Sequence, residues 1–554
     1  MKKLYQAVVF LFVCSLAPLV ASAQSFRVQC PNSTITHPNA TNNSEPDYTA
    51  STYAAVAGTP APADYTTGRS GPTNGAIKCQ QIGGGDGLAT MGDGEQIYMF
   101  SFGPLSGLAD IANGLPGTEF PNVFNTVYGG TFVPGAPAET ATFHAPSSGT
   151  TVLPEGFNYN GAVGLVPDAD AIANGICAAP CLDGHVDPRA IIDVGVMNGN
   201  IPAPLLAFDE DDEVFFTLTN VGMIMRPDLF EQHTVHFHGY PNASSFYDGV
   251  PDASVAINIG GSFTYYYMAP DAGTYFWHCH ITPPEHLQMG MVAQLYVRPR
   301  QDRVPTGNSL YAALQAQQLD NRTKCDPTQD ILCSNPLPAV NTGATNTAAV
   351  HDAAVSGTNG PRAGYAYNDG DGSTYYNVEY PIQIHGFDPN FHFVGMTFNP
   401  EEFNDMKDKY FLLNGRSYPD TVTRGPLATQ VTDGKMHFSQ PLPSIIDIPV
   451  GGKALLRISD LDVTEYQTLA SLGIPMTVIG FNAKLLRDQA GNNLYYNTNS
   501  ITLAGGESLD VILDASDTTK YPSGSVFYLY TPNLDHLSND AENFGGLMTE
   551  VHIN

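Results

Sequence analysis

Short apolar and β-favouring runs, set between Gly- and Pro-rich connections and almost never followed by an amphipathic helix, constrain what this chain can fold into. With 54 Gly and 42 Pro in 554 residues, punctuation is frequent throughout. Strand candidates fall at 96–102, 213–218, 262–268, 274–279 and 291–297, and again at 445–450, 454–458, 476–479, 509–513, 526–530 and 548–553. Residues 262–268 and 274–279 read as antiparallel neighbours joined by the tight connection Ala269-Pro-Asp-Ala-Gly273. Short strands at this spacing specify an all-β protein with two β-sandwiches in tandem.

The chain opens Met1-Lys2-Lys3, continues through an apolar run from Val8 to Val13 and reaches Ala21-Ser-Ala23. A basic start, a short apolar stretch and small residues at its end describe a secretory signal peptide over 1–23. Residues 24–90, rich in small and polar types, read as an irregular extension pinned by a disulfide. The first sandwich is expected at 91–300. A linker follows at 301–375, with a helix at 309–319 and a disulfide loop at 325–333, and the second sandwich spans 376–554. Asn368-Asp-Gly-Asp-Gly-Ser373 has the acidity of a calcium loop, but without the rest of that pattern it reads as a hairpin turn.

Export decides how the eight cysteines are read. Cys14 leaves with the signal, and the odd number that remains calls for one cysteine with another task. Cys279 sits between two histidines and is that exception. The other six allow fifteen pairings; Cys177–Cys181 and Cys325–Cys333 are the local ones, leaving Cys30 with Cys79. A formal charge of −31 argues against nucleic acid and anionic lipid as partners.

The chemistry concentrates in one stretch. His233-Thr-Val-His236-Phe-His238 is followed by Trp277-His278-Cys279-His280 and then by His286-Leu-Gln-Met289-Gly-Met291. Two imidazoles, a thiolate and a weak axial thioether make a type 1 copper site, which His233, Cys279, His286 and Met291 can supply. Strand alternation turns His278 and His280 away from Cys279, and it puts His236 and His238 on one face, suited to neighbouring coppers.

This segment resembles the copper-binding motifs of the multicopper oxidases, the laccase, ferroxidase and two-domain copper oxidase group. The likeness is strongest from Asn198 to Pro299, with weaker echoes at Tyr410–Asp420 and Gly545–Thr549. The resemblance implies cupredoxin-like Greek-key sandwiches and type 1 copper on His233, Cys279, His286 and Met291. It further implies type 2 copper on His236 and a type 3 pair on His238, His278 and His280. Asp248, in the Asp-Gly that follows the His-x-His-Gly motif, would supply protons during dioxygen reduction.

Two departures qualify the likeness. Cys279 and His286 are seven positions apart, a loop longer than in laccases and shorter than in copper nitrite reductases, stiffened by Pro283 and Pro284. A full trinuclear cluster uses four His-x-His units, and this chain has two. His385, His392, His437, His536 and His552 of the second block are isolated, and no cysteine follows Cys333. A second copy of the chain could complete the cluster.

The expected function is an exported multicopper oxidase, periplasmic or extracellular. It would take single electrons from a small organic or metal-ion reductant and pass them to dioxygen, with Glu285 beside His286 favouring a cationic donor. The alternatives are an electron-transfer or surface protein with type 1 copper alone, and a nitrite-reductase-like enzyme. Against the last, His236 stands where that family places a catalytic aspartate.

Overall fold

The computed structural model describes residues 77–105, 199–239, 244–269, 271–304, 307–317, 336–346, 363–395, 402–430 and 434–554, with short pieces between 165 and 186. The expected signal peptide, residues 24–76 of the extension, and Cys30, Cys177, Cys181, Cys325 and Cys333 of the expected bridges lie outside the described residues.

Among the described residues the first sandwich has eight strands: β1 (Ile77–Thr90), β2 (Gln96–Pro104), β3 (Leu206–Asp209), β4 (Glu213–Asn220), β5 (His236–His238), β6 (Ser262–Met268), β7 (Gly273–His278) and β8 (Val292–Arg298). One sheet runs β2-β1-β4-β6 and the other β3-β8-β7-β5. Phe216, Leu218, Phe237, Tyr265, Trp277, Cys279 and Leu295 meet between them in a single apolar core. The aromatic rings interlock edge to face, with Trp277 5.3 Å from Phe216.

Two expectations are corrected here. Residues 77–90, assigned to the irregular extension, form the long central strand β1, which pairs antiparallel with β2 and parallel with β4. Its Gly83-Gly-Gly85 run carries no side chains, and the space is filled by Leu105, Val221 and His233 from neighbouring segments. A strand whose packing is supplied by others shows no hydrophobic alternation of its own. Secondly, 262–268 and 274–279 are not hairpin partners. β6 pairs with β4 and β7 with β8 and β5, so Ala269–Gly273 carries the chain from one sheet to the other. That crossing sets His278 against His236.

The second sandwich has a seven-stranded sheet containing β9 (Val378–Phe387) parallel to β10 (Lys453–Asp460), facing a five-stranded sheet. Ile382, Ile384, Leu456, Val478, Val511, Leu529 and Val551 fill its core. The pair of tandem β-sandwiches therefore stands as expected. The acidic stretch at 368–373 turns a small hairpin, where Asp369 accepts hydrogen bonds from the N–H groups of Asp371, Gly372 and Thr374 at 2.7–3.0 Å.

Among the described residues the α-helices are α1 (Pro283–Gln288), α2 (Leu310–Gln317) and α3 (Pro389–Gly395). No helix among the described residues is long and apolar enough to cross a membrane. The two sandwiches share an apolar seam of Met99, Ile201, Phe276, Leu287, Phe387, Leu412 and Leu461. Gly273 abuts Ala483 so closely that a Cβ there would lie 2.7 Å from the alanine Cβ.

Candidate metal centre

Strand pairing builds the site. β5 lies antiparallel to β7 with His236 opposite His278 and Phe237 opposite Trp277. Because strand residues alternate faces, Phe237 and Trp277 point into the core and the histidines point out of it. Cys279 follows on the core side and is fully buried; it is the free cysteine among the described residues.

Three donors converge on that core side. The Cys279 Sγ lies 3.2 Å from His286 Nδ1 and 3.9 Å from His233 Nδ1. All three residues are buried, and their donor atoms fall within 4.8 Å of one another. The Thr234 N–H donates to the sulfur at 3.5 Å. Thr282, in the left-handed region at φ 38°, starts α1, and Pro283 and Pro284 fill its first turn. This sharp entry brings His286 back over the thiol. The Met291 N–H donates to the His286 carbonyl at 2.8 Å, and the Cys279 N–H donates to the Met291 carbonyl at 3.2 Å. Met291 is fully buried in the same core cluster as Cys279.

Burial holds His233 well below the ordinary histidine range, helped by the nearby His286. Burial also acts to lower His286, but the charge and hydrogen bond of the Cys279 thiolate, with Glu231, outweigh it and push it up to about 10. Two Nδ1 donors, a thiolate and a buried thioether fit copper. The outer nitrogen of His286 lies 3.4 Å from a Glu231 carboxylate oxygen, an ion-pair distance without hydrogen-bond alignment.

A second cluster sits on the opposite face. Donor atoms of His236, His238 and His278 also fall within 4.8 Å of one another, and His238 Nε2 is 2.9 Å from His278 Nε2. His278 Nδ1 is 2.7 Å from the Cys279 carbonyl, and His236 Nδ1 is 2.7 Å from the Asp248 carbonyl. Carbonyls accept only, so each Nδ1 carries the proton and each Nε2 keeps a lone pair for a metal. Burial lowers His278 well below its usual range, lowers His236, and lowers His238 to about 4. The His280 ring stands 4.9 Å from that of His236 and 5.7 Å from that of His278, beside the triad rather than in it.

The expected site residues thus gather into two adjoining clusters. Asp248 lies by His236, its carboxylate 3.5 Å from Nδ1. Glu285 is half-buried on α1, and the carboxylate that reaches His286 Nε2 is that of Glu231, which the sequence did not single out. Thr234 and Gly84 were likewise not singled out. Glu231 sits two residues before His233, a spacing that places both on one side of an extended segment.

A cavity of about 490 Å³ opens at His238 and His278, with Pro283 and Leu287 beside them and Asp462, Thr464 and Glu465 of the second sandwich opposite. No histidine of the second sandwich lines it. His385 Nδ1 faces the Leu461 carbonyl, His392 sits between the Tyr98 and Gln288 carbonyls and donates to one of them, His536 lies between Gln467 and Glu465, and His552 pairs with Glu550. The His437 ring is buried on the strand Met436–Gln440.

Residues 184–302 match the family model described as multicopper oxidase. The multicopper oxidase MCE of Talaromyces pinophilus is 35% identical over 112 residues, 20% of this chain and 17% of that protein. Laccase-1 of Emericella nidulans is 37% identical over 111 residues, 19% of this chain and 16% of that protein. The aligned part of this chain thus spans about a sixth of the length of these relatives. Among solved structures, the blue copper oxidase from Nitrosomonas europaea superposes with a TM-score of 0.40 at 20% identity, covering 64% of this chain and 78% of that one. The multicopper oxidase mgLAC superposes at 0.45 and 14% identity, covering 86% and 87%.

Proposed function

We propose, from a chain whose residues 184–302 carry a multicopper oxidase domain, that the protein is an exported copper oxidoreductase passing single electrons from a reductant to dioxygen. Bound copper would supply the one-electron chemistry, with His233, Cys279, His286 and Met291 holding a type 1 ion and His236, His238, His278 and His280 holding the next. The observation that carries this reading is the join between the clusters. Cys279 serves one and its neighbour His278 the other, and the His278 Nδ1–H donates to the Cys279 carbonyl at 2.7 Å. That hydrogen bond and one peptide link form a short path between them.

The chain's other residues have roles around this path. The His286 edge at Glu231, with Glu285 nearby and a strongly acidic chain, suits a cationic reductant. Asp248 orients His236 through its carbonyl and keeps a carboxylate beside the same ring, where it can hand on a proton. The cavity at His238 and His278 gives a small oxidant access.

One observation favours a second reading, in which the protein is an electron carrier with type 1 copper alone: the wall facing His238 and His278 offers carboxylates and no imidazole. A second copy of the chain could supply the missing histidines. Copper analysis, absorption and EPR spectra, and oxygen uptake on the purified protein decide between them. Several coppers per chain with oxygen uptake support the oxidase. One blue copper without uptake supports the carrier.

A further inference from the structure

We infer that Gln288 is a positioning residue, through which the second sandwich, although it holds no type 1 ligand, fixes His286 and Met291 around Cys279. The inference rests on the type 1 reading above and deepens it.

Gln288 is fully buried, and each of its polar ends meets the second sandwich. Its Nε2 donates to Asp408 Oδ1 at 2.9 Å, and its Oε1 accepts from the Asp388 N–H at 2.8 Å. Its backbone carbonyl, 2.9 Å from His392 Nε2, and the Tyr98 carbonyl on β2 flank the His392 ring, which donates to one of them. The clamp is itself braced. Asp388 caps α3 by accepting from the Asn390 N–H at 2.8 Å and holds the Lys407 N–H at 2.8 Å. Asp408 accepts from the Thr464 hydroxyl, and Phe391 of α3 inserts into the core that holds Cys279, Met289 and Met291.

α1 needs such support, because a six-residue helix cannot hold itself. His286 lies two residues before Gln288 and Met291 three after it. The backbone bonds from Met291 to His286 and from Cys279 to Met291 join all three ligands to this short loop. Movement of residue 288 therefore shifts two ligands together relative to the sulfur. Type 1 copper is tuned by its axial ligand and by hydrogen bonding near the thiolate, so the spectrum should register the change.

The test uses the full chain as Q288L, Q288E and Q288E/D408N, each with and without copper. Leucine keeps the volume and loses both side-chain hydrogen bonds. Glutamate keeps the bond from Asp388 but sets a carboxylate against Asp408, and the double variant restores a donor–acceptor pair. Metal-free Q288L should exchange its 285–291 amide hydrogens about tenfold faster than the wild type, the effect of losing roughly 1–2 kcal/mol of local hydrogen bonding. With copper, Q288L and Q288E should show a shifted sulfur-to-copper band, altered copper hyperfine splitting and a changed reduction potential. Q288E/D408N should return all three toward the wild type. A blue Q288L with wild-type spectrum, potential and exchange overturns the clamp alone. A wild-type protein that binds copper without a sulfur-to-copper band overturns the type 1 reading and this inference with it.

Discussion

Gly84 and His233 are packed so closely that a Cβ on the glycine would lie 2.6 Å from His233 Cδ2. The glycine sits mid-strand on β1, paired with Phe102 on β2 and Asn220 on β4, so the backbone has no freedom to retreat. The imidazole is the part that must move. Gly84→Ala is therefore expected to leave a folded protein, less stable by about 1–3 kcal/mol from overpacking, with His233 displaced from Cys279. Copper titration followed by absorption should show weaker binding and a shifted or absent blue band. An alanine variant with the wild-type spectrum would mean that His233 is not a ligand.

That contact also shows where sequence reading ran out. Alternation was legible wherever a strand carries its own packing, as in β6, which matches the expected 262–268 to the residue. The ligand spacing was legible because His236, His238, His278 and Cys279 are placed by the same two-residue period. β1 was not legible, since its glycine face is filled by residues remote in sequence. Glu231 and Gln288 were hidden for a related reason: their importance comes from contacts across a loop or between sandwiches. The Ala269–Gly273 link looks like a tight turn, and only the partners taken up by β6 and β7 reveal that it changes sheets.

Glu379 is expected to hold the two sandwiches together. One oxygen accepts from Arg298 Nε at 3.0 Å and Nη2 at 2.6 Å, and the other from Arg457 Nε at 3.2 Å and the Tyr376 hydroxyl at 2.9 Å. Both guanidinium groups, fully buried, also stand over the Tyr296 ring at 5.0 and 4.7 Å. Glu379→Ala removes the hydrogen-bonded carboxylate from two buried cations, leaving Arg457 with Asp510 at 3.7 Å, a loss on the order of 3–5 kcal/mol. Denaturant unfolding should show the midpoint falling by that equivalent, and a loss below 1 kcal/mol would show that water or another anion takes the carboxylate's place.

Asp86 should make stability depend on pH in a particular window. Burial pushes its carboxyl up to about 6, against the N–H groups of Met225 and Ile224 and the Tyr98 hydroxyl, which act to lower it. A carboxyl raised in the folded state favours folding while it is protonated. Its contribution is thus full below the unfolded value of 3.8 and is lost as pH rises through about 6. A displacement of about two pH units corresponds to roughly 3 kcal/mol. Asp86→Asn should flatten the stability–pH curve between about 4 and 6, and unfolding midpoints across that range would reveal it. An unchanged curve would place the carboxyl's titration elsewhere.

Copper should stabilise the fold through the buried trio rather than through the outer histidines. His233, Cys279 and His286 are each fully buried, and Cys279 and Met291 share the core of the first sandwich, so an ion there ties that core to the loop and α1. A ligand that binds only the folded chain adds about 4 kcal/mol at a thousandfold excess over its Kd. Thermal melts should therefore rise on adding copper to the wild type and fall again on chelation. Cys279→Ser keeps the steric volume but removes the thiolate, so both the rise and the blue colour should be lost. His238→Ala, on the cavity face, should keep most of the rise, because its ring is half-exposed and outside that core. Equal losses from both substitutions would show that the two clusters bind as one unit, joined through the His278–Cys279 link.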